Sequence, residues 1–216
     1  MLSNPRNNTN MENIMWLFFD LGSTLVDETD AYYYRHINAV RGSNISYERF
    51  IAEVIELQKQ NLKADVMVME RYGLPRTPWR SDLEKLYSDA AETLKTLYER
   101  GYKLGVIANQ KLGSKQRLEA WGIAKYFEVI LASAEEGVAK PDPQIFLRAL
   151  KRAGCPAENA VMIGDRIDND IVPAKKLGMK TVRILQSFSA YGIARCEEET
   201  ADITINRLSE LLEHFN

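Results

Sequence analysis

The chain has 216 residues, of which 45% are hydrophobic, so it can bury the core of one large domain or of a domain with an insertion. Its 28 lysines and arginines nearly balance 30 acidic residues, which gives a formal net charge of -2. The sequence contains no block of like charge, so nucleic acid is not predicted as a partner. The first apolar run, residues 14–19, is too short for a membrane span or a signal core, which predicts a cytoplasmic protein with no membrane partner.

The N-terminal residues 1–10 are polar and rich in asparagine, and they precede Met11 and the first apolar run. They are predicted to form a disordered tail. The two cysteines, Cys155 and Cys196, lie far apart in sequence and lack the spacing of metal ligands. They are therefore interpreted as incidental thiols in a reducing compartment.

Short apolar runs alternate with amphipathic helical patterns through the C-terminal half, which is typical of a parallel sheet covered by crossover helices. The predicted strands are 14–19, 103–108, 129–131, 160–163, 180–184 and 203–205. Helices are predicted at 90–100 and 144–152, each stopped by a glycine, and at 206–215 as the terminal element. The pattern indicates an α/β fold.

Residues 28–86 break this alternation, because they contain no clear strand and show helical spacing, for example over 47–63. An insertion after the first strand of an α/β core is predicted to form a small helical cap above the strand ends, where ligands bind in such folds. The predicted domains are therefore a core of residues 11–27 and 87–216 and a helical cap of residues 28–86.

The carboxyl ends of parallel strands meet at one edge of an open α/β sheet, so residues that follow different strands converge there. This rule selects four places, which are Asp20, Ala108 with Asn109, Lys140, and Asp165 with Asp170. Three carboxylates and one ammonium at one edge require a divalent cation to balance their charge. Oxygen ligands without a nearby histidine or cysteine favour Mg²⁺ over zinc.

These places lie in four stretches, DLGST from Asp20, GVIANQ with Asn109, GVAKPDPQIF with Lys140, and GDRIDND with Asp165. In this order they resemble the motifs of the haloacid dehalogenase superfamily of hydrolases, which are mostly phosphatases. The resemblance covers nearly the whole chain from Ile14 onward. It implies a Rossmann-like, doubly wound parallel sheet with a small inserted α-helical cap.

The resemblance also implies the chemistry of the site. Asp20 would be the nucleophile that forms an aspartyl phosphate, and Lys140 would supply positive charge to it and to the phosphoryl group. Ala108, Asn109 and Lys140 occupy the phosphate-binding positions, and the implied Mg²⁺ ligands are Asp20, the Gly22 carbonyl, Asp165 and Asp170. The predicted substrate is a small phosphorylated metabolite, whose identity, like the oligomeric state, the sequence leaves open.

Two positions depart from the family pattern. Gly22 stands where phosphatases of the family commonly carry a second aspartate, the general acid, and Ala108 replaces a serine or threonine. Without the acid, substrates with good leaving groups are favoured, or a proton carrier must come from the cap. The lone histidine of the cap, His36, is interpreted as a surface or packed residue.

Two alternative functions remain beside the phosphatase. The first is a catalytically weakened or non-catalytic binding or regulatory protein, in which Gly22 and Ala108 record the loss of chemistry. The second is a dehalogenase, which uses the same nucleophile without a metal. Dehalogenases of the family lack the metal-binding aspartate, whereas GDRIDND retains both acids, so phosphoryl transfer is favoured.

Overall fold

A computed structural model describes residue 11 and residues 13–216 of the chain. Its strands are β1 (Trp16–Phe19), β2 (Val26–Asp27), β3 (Lys85–Leu86), β4 (Lys103–Ala108), β5 (Phe127–Ala132), β6 (Ala160–Gly164), β7 (Lys180–Ile184) and β8 (Ile203–Ile205). Six of them form a central parallel sheet in the order β5-β4-β1-β6-β7-β8. Strands β2 and β3 form a separate antiparallel pair. The predicted α/β fold with a parallel sheet is confirmed.

The α-helices are α1 (Thr29–Val40), α2 (Tyr47–Gln58), α3 (Ala64–Arg71), α4 (Ala90–Glu99), α5 (Ser114–Ala120), α6 (Ser133–Glu136), α7 (Pro143–Ala153) and α8 (Val172–Lys176). Two of them, α4 and α7, pack on opposite faces of the sheet. The central strand β1 alternates between two apolar clusters, with Leu17 and Phe19 packed on the side of α4, and Trp16 and Phe18 on the side of α7. Burial on both faces explains why this strand is a continuous apolar run.

All six predicted strands of the sheet are present, with bounds that shift by up to two residues at an end. The terminal element differs from the prediction of an α-helix over 206–215, because Leu208–Glu213 form a 3₁₀-helix. In a 3₁₀-helix, residues three apart stack on one face. That geometry buries Leu208 and Leu211 together in the cluster that contains α4.

Residues 28–86 contain α1, α2 and α3, which share an apolar cluster of their own. The predicted helix over 47–63 ends at Gln58, because Asn61 takes a left-handed φ of 59° that stops the helix. The prediction that this interval contains no clear strand is wrong at its end, since β3 pairs with β2 there. A two-residue ladder is too short to leave an alternating pattern in the sequence.

The division into a cap and a core stays a proposal, for which the separate cluster of α1, α2 and α3 is the supporting observation. The predicted tail over residues 1–10 lies outside the described residues. Among the described residues, no helix has the combined length and apolarity that crossing a membrane requires. Both cysteines are free thiols, with Cys155 buried and Cys196 exposed.

Gly105 of β4 packs closely against the central strand. A Cβ at this position would lie 2.6 Å from the Phe18 ring and 3.2 Å from the Val129 carbonyl oxygen. We expect Gly105→Ala to lower the free energy of unfolding by about 1–3 kcal/mol, because the buried ring cannot move without displacing its neighbours. Urea unfolding of the purified variant measures this loss.

The matched control is Phe18→Leu, alone and combined with Gly105→Ala. Removing the ring makes room for the new methyl group, so the two losses should add to more than the loss in the double variant. Strict additivity would contradict the proposed overlap.

Candidate active site

The carboxyl edge of the sheet brings the predicted site residues together. Asp20, Asn109 and Asp165 directly follow β1, β4 and β6, which are neighbours in the sheet. The register places Phe19 level with Ile163, and the Asp20 amide donates a hydrogen bond to the Ile163 carbonyl at 2.9 Å. The ends of the strands are therefore level, as the rule for parallel sheets predicts.

Lys140 reaches this edge by a different route, because it lies in the loop between α6 and α7 and not at a strand end. The Asn109 side chain holds this loop against β4. Its Nδ2 donates to the Lys140 carbonyl at 2.8 Å, and its Oδ1 accepts from the Lys140 amide at 2.7 Å. Asn109 thus positions Lys140, a function that the sequence analysis did not assign to it.

The three predicted metal-binding carboxylates form one cluster. One oxygen from each of Asp20, Asp165 and Asp170 lies within 4.8 Å of the others. The Lys140 ammonium lies 2.8 Å from Asp20 Oδ1 and 2.6 Å from Asp170 Oδ1. When all four groups are ionised, the cluster has a charge of about −2, which one divalent cation balances. The oxygen donors fit a hard cation such as Mg²⁺.

The electrostatics of the cluster show the same imbalance. Burial, and then the charges of Asp170 and Asp20, hold the pKa of Asp165 well above its usual range. Burial raises the pKa of Asp170 to about 6, although Lys140 opposes this shift. Burial also lowers the pKa of Lys140, but the two neighbouring carboxylates outweigh burial and leave it raised. An added cation would favour the ionised carboxylates and relieve this strain.

Close packing against a glycine places Asp170. A Cβ at Gly164, the last residue of β6, would lie 2.5 Å from Asp170 Oδ2. Asp170 belongs to a π-helix over Ile167–Ile171, and its Oδ2 accepts a hydrogen bond from the Arg166 amide at 3.0 Å. Only glycine at position 164 leaves room for this carboxylate beside the strand.

A second glycine makes room for a carboxylate that the sequence analysis missed. A Cβ at Gly22 would lie 2.6 Å from Glu28 Oε1, and Ser23 Oγ donates to Glu28 Oε2 at 3.1 Å. Burial raises the pKa of Glu28 to about 7, with the Ser23 hydrogen bond opposing and the charge of Asp20 adding to the shift. Glu28 ends the DLGSTLVDE stretch, but the turn that returns it to Gly22 leaves no mark in the sequence.

Comparison with known proteins decides the family. A sequence model described as haloacid dehalogenase-like hydrolase matches residues 17–184, which is more than half of the chain. The chain belongs to this family. The predicted resemblance to the haloacid dehalogenase superfamily is therefore confirmed.

Relatives of this haloacid dehalogenase-like hydrolase include two archaeal proteins named glyceraldehyde 3-phosphate phosphatase. The protein of Methanopyrus kandleri is 40% identical over 60% of this chain and 56% of its own length. The protein of Pyrococcus furiosus is 31% identical over 94% of this chain and 93% of its own length. A crystal structure of a HAD phosphatase from Thermococcus onnurineus is 26% identical, with a TM-score of 0.64, and the match covers 93% of this chain and 97% of that one.

Coverage differs among these relatives. The chain spans little more than half the length of the first two curated relatives that it matches, 56% and 55%. The structural match, in contrast, extends over nearly the whole of both chains. The family and the fold are therefore established for this chain, and its activity is a separate question.

Ala108 remains the second departure from the family motif. Its methyl group is fully buried at the end of β4 and offers no hydrogen bond to a phosphoryl oxygen. The neighbouring Asn109 amide is committed to Lys140, with one of its two N–H hydrogens in that bond. A phosphate contact by Asn109 through the other hydrogen stays a prediction.

Two cavities open between α1 and the sheet edge, and Tyr32 lines both. The histidine cavity is lined by Ser23, Tyr32, His36, Asp65, Asp165 and Phe188. The glutamate cavity is lined by Glu28, Tyr32, Trp79, Glu84, Asn109 and Lys111. Each cavity is thus bordered by a different carboxylate near the carboxyl edge of the sheet, Asp165 in the histidine cavity and Glu28 in the glutamate cavity.

His36 is a packed residue in the first of these cavities. Its side chain is fully buried against Phe50 and Phe188, and neither ring nitrogen has a hydrogen-bond partner within residue 11 and residues 13–216. Burial lowers its pKa from 6.5 to about 4, although Asp65, 4.0 Å from Nε2, opposes the shift. His36 is therefore neutral at pH 7 and holds no proton to donate as an imidazolium.

The buried neutral His36 makes stability depend on pH. Between pH 6.5 and 4 the unfolded chain binds a proton at His36 and the folded chain does not, so stability is lost as the pH falls through this window. We expect His36→Phe to remove this loss, which is on the order of 2–3 kcal/mol. Urea unfolding at pH values from 4 to 7 measures the difference.

The relevant quantity is the slope, because the new ring also changes packing equally at every pH. His36→Leu provides a second side chain that does not titrate and that packs differently. If both variants give curves parallel to that of the wild type, the pKa of His36 is not lowered by folding.

Proposed function

We propose that the chain is a metal-dependent phosphatase that acts on a small phosphorylated metabolite through an aspartyl-phosphate intermediate. The observation that carries this proposal is the Lys140 ammonium, 2.8 Å from Asp20 and 2.6 Å from Asp170 within the carboxylate cluster. A carboxylate attacks a phosphate dianion only where positive charge offsets their repulsion. Lys140 lies where it supplies that charge to the nucleophile.

The reaction has two steps. In the first, an Asp20 oxygen attacks phosphorus and the bond from phosphorus to the leaving oxygen breaks, which leaves an acyl phosphate on Asp20. In the second, water attacks the same phosphorus and releases inorganic phosphate and the Asp20 carboxylate. Lys140 holds Asp20 in place and stabilises negative charge on the phosphoryl oxygens in both steps.

Asp20, Asp165, Asp170 and the Gly22 carbonyl would hold the metal, for which we propose Mg²⁺. When bound, Mg²⁺ supplies Lewis-acid stabilisation of the charge that develops on the phosphoryl group. Asp170 also bonds to Lys140, so this carboxylate ties the ammonium to the metal-binding cluster. The same aspartates disfavour the dehalogenase alternative.

The relatives narrow the class of substrate. The proteins of Methanopyrus kandleri and Pyrococcus furiosus are named glyceraldehyde 3-phosphate phosphatase, and one of Aquifex aeolicus is named phosphoglycolate phosphatase. These names support a small phosphate monoester as the substrate of this chain. We further propose that residues 28–86 form a cap that selects this substrate. The compartment that we propose for the reaction is the cytoplasm.

A non-catalytic binding protein is the second candidate. The buried methyl group of Ala108, where the family motif places a hydroxyl, is the observation that favours it. Loss of one such donor typically lowers a rate by on the order of 10²–10³-fold. A weakened enzyme and a binding protein differ in whether any turnover depends on Asp20.

The first test is Asp20→Asn, which keeps the shape of the side chain and removes the nucleophile. We expect hydrolysis of p-nitrophenyl phosphate and acetyl phosphate in Mg²⁺ to fall on the order of 10⁴-fold or more. Asp168→Asn is the matched control, because Asp168 pairs with Arg166 outside the carboxylate cluster. Turnover retained in Asp20→Asn would refute the assignment of Asp20 as the nucleophile. If the wild type shows no turnover, the result favours the non-catalytic binding protein.

The second test removes one carboxylate from the cluster by Asp165→Asn. Without metal, the variant should be at least as stable as the wild type, because an acid buried among other carboxylates is replaced by a neutral side chain. With Mg²⁺ at about 100 times its Kd, the wild type should gain about 2.7 kcal/mol and the variant little. Thermal unfolding with and without Mg²⁺ measures both effects, and calorimetry gives the affinity.

The opposite signs of the two effects separate metal binding from general damage to the fold. Asp168→Asn should respond to Mg²⁺ as the wild type does. An equal gain in Asp165→Asn would show that Asp165 does not bind the cation.

A further inference from the structure

The space beside Gly22 is filled by a carboxylate from elsewhere in the chain. A Cβ at Gly22 would lie 2.6 Å from Glu28 Oε1, 2.7 Å from Oε2 and 2.8 Å from Cδ. The whole carboxyl group of Glu28 therefore stands against the backbone at position 22.

An aspartate at position 22 would place its own carboxylate oxygens about 2.4 Å from its Cβ, according to standard bond lengths. The Glu28 oxygens lie at 2.6 and 2.7 Å from that same point. Glu28 thus brings two carboxylate oxygens to the distance from the Gly22 backbone at which an aspartate side chain would carry them.

The surroundings hold Glu28 in this position, at the wall of a cavity. Ser23 Oγ donates to Oε2 at 3.1 Å, and the Tyr32 amide donates to the Glu28 carbonyl at 2.9 Å in the first turn of α1. The residue is 9% exposed, and it lines the glutamate cavity together with Asn109 and Lys111. A molecule in this cavity would meet the carboxylate beside the end of β4.

We propose that Glu28 is the general acid and base of this site. It takes the role of the aspartate side chain that is absent at position 22. The proposal rests on the phosphatase function proposed above. It assigns a catalytic role to the residue that directly precedes α1, outside the four sequence motifs.

Glu28 carries one proton through the two steps of the reaction. As Asp20 attacks and the bond from phosphorus to oxygen breaks, the protonated Glu28 gives its proton to the leaving oxygen, which departs as an alcohol. When water attacks the aspartyl phosphate, Glu28 takes one proton from that water. Phosphate and the Asp20 carboxylate are released, and Glu28 is protonated again for the next cycle.

This assignment changes the expected class of substrate. The sequence alone favoured acyl and aryl phosphates, because their leaving groups depart without a proton. With Glu28 as the acid, phosphate monoesters of ordinary alcohols become substrates, since an alkoxide leaves slowly unless it is protonated.

The experiment compares Glu28→Gln with the wild type on phosphate monoesters whose leaving groups range from p-nitrophenol to a simple alkyl alcohol, in Mg²⁺. We expect kcat/KM to fall on the order of 10²–10⁴-fold for the alkyl ester and much less for p-nitrophenyl phosphate. In the wild type alone, kcat/KM should depend only weakly on the pKa of the leaving group.

Glu84→Gln is the matched control. Glu84 is a second carboxylate of the glutamate cavity, and it pairs with Arg117 and accepts from Trp79 Nε1 at 2.6 Å. Its replacement should change the rates of all esters by a similar factor, because it transfers no proton.

A relocated acid provides an independent arm. Gly22→Asp alone should perform poorly, because its side chain overlaps Glu28. The double variant Gly22→Asp with Glu28→Ala frees that space. Its kcat/KM for the alkyl ester should be about tenfold or more above that of Glu28→Ala alone.

The proposal is overturned if Glu28→Gln lowers kcat/KM by the same factor for all esters. It is also overturned if kcat/KM of the wild type already depends steeply on the pKa of the leaving group. The second result uses the unaltered protein, so it stands even where a variant fails to fold. Asp20→Asn, run beside these variants, separates the two proposals. If turnover is lost in Asp20→Asn but unchanged in Glu28→Gln, only the assignment of Glu28 as the general acid is refuted. If turnover persists in Asp20→Asn, the proposed phosphatase mechanism itself is refuted.

Discussion

The ion pairs of the buried Lys140 ammonium are the interaction on which the rest of the site depends. Its side chain is almost fully buried between Asp20 and Asp170, and a buried charge costs several kcal/mol unless partners compensate it. The loop of Lys140 must therefore be held where both partners reach it. Asn109 does this by bonding both the amide and the carbonyl of Lys140. One side chain thus joins the second motif to the third.

Much of this arrangement could be predicted from the sequence, for a physical reason. Strands buried on both faces are continuous apolar runs, and polar residues at their carboxyl ends must meet at one edge. Asp20 and Asp165 were found in this way. The same rule also selected Lys140, but this residue lies in a loop and not at a strand end. Its position depends on a long-range bond to Asn109 that the local sequence does not encode.

The elements that were missed depend on contacts between distant residues. The pair of β2 with β3 joins residues on either side of three helices, and the 3₁₀ geometry of Leu208–Glu213 follows from packing against α4. Glu28 was missed because a sequence motif is recognised by the side chains at its own positions, and Glu28 lies outside the motif. At Gly22 the informative feature is an absent side chain, whose space a neighbour occupies. Gly164, at the end of β6, shows the same relation to Asp170.

The short ladder of β2 and β3 has a consequence for how such a protein can diversify. Asp27 faces Lys85 in the antiparallel register, so the two ends of the segment between β2 and β3 lie side by side, about 5 Å apart. A segment with such closely spaced ends can be exchanged as a cassette without rearranging the sheet. Residue 28 lies inside that cassette. A swap of the segment would therefore replace α1, α2, α3 and the carboxylate beside Gly22 in a single event, while Asp20 and Lys140 stayed in place.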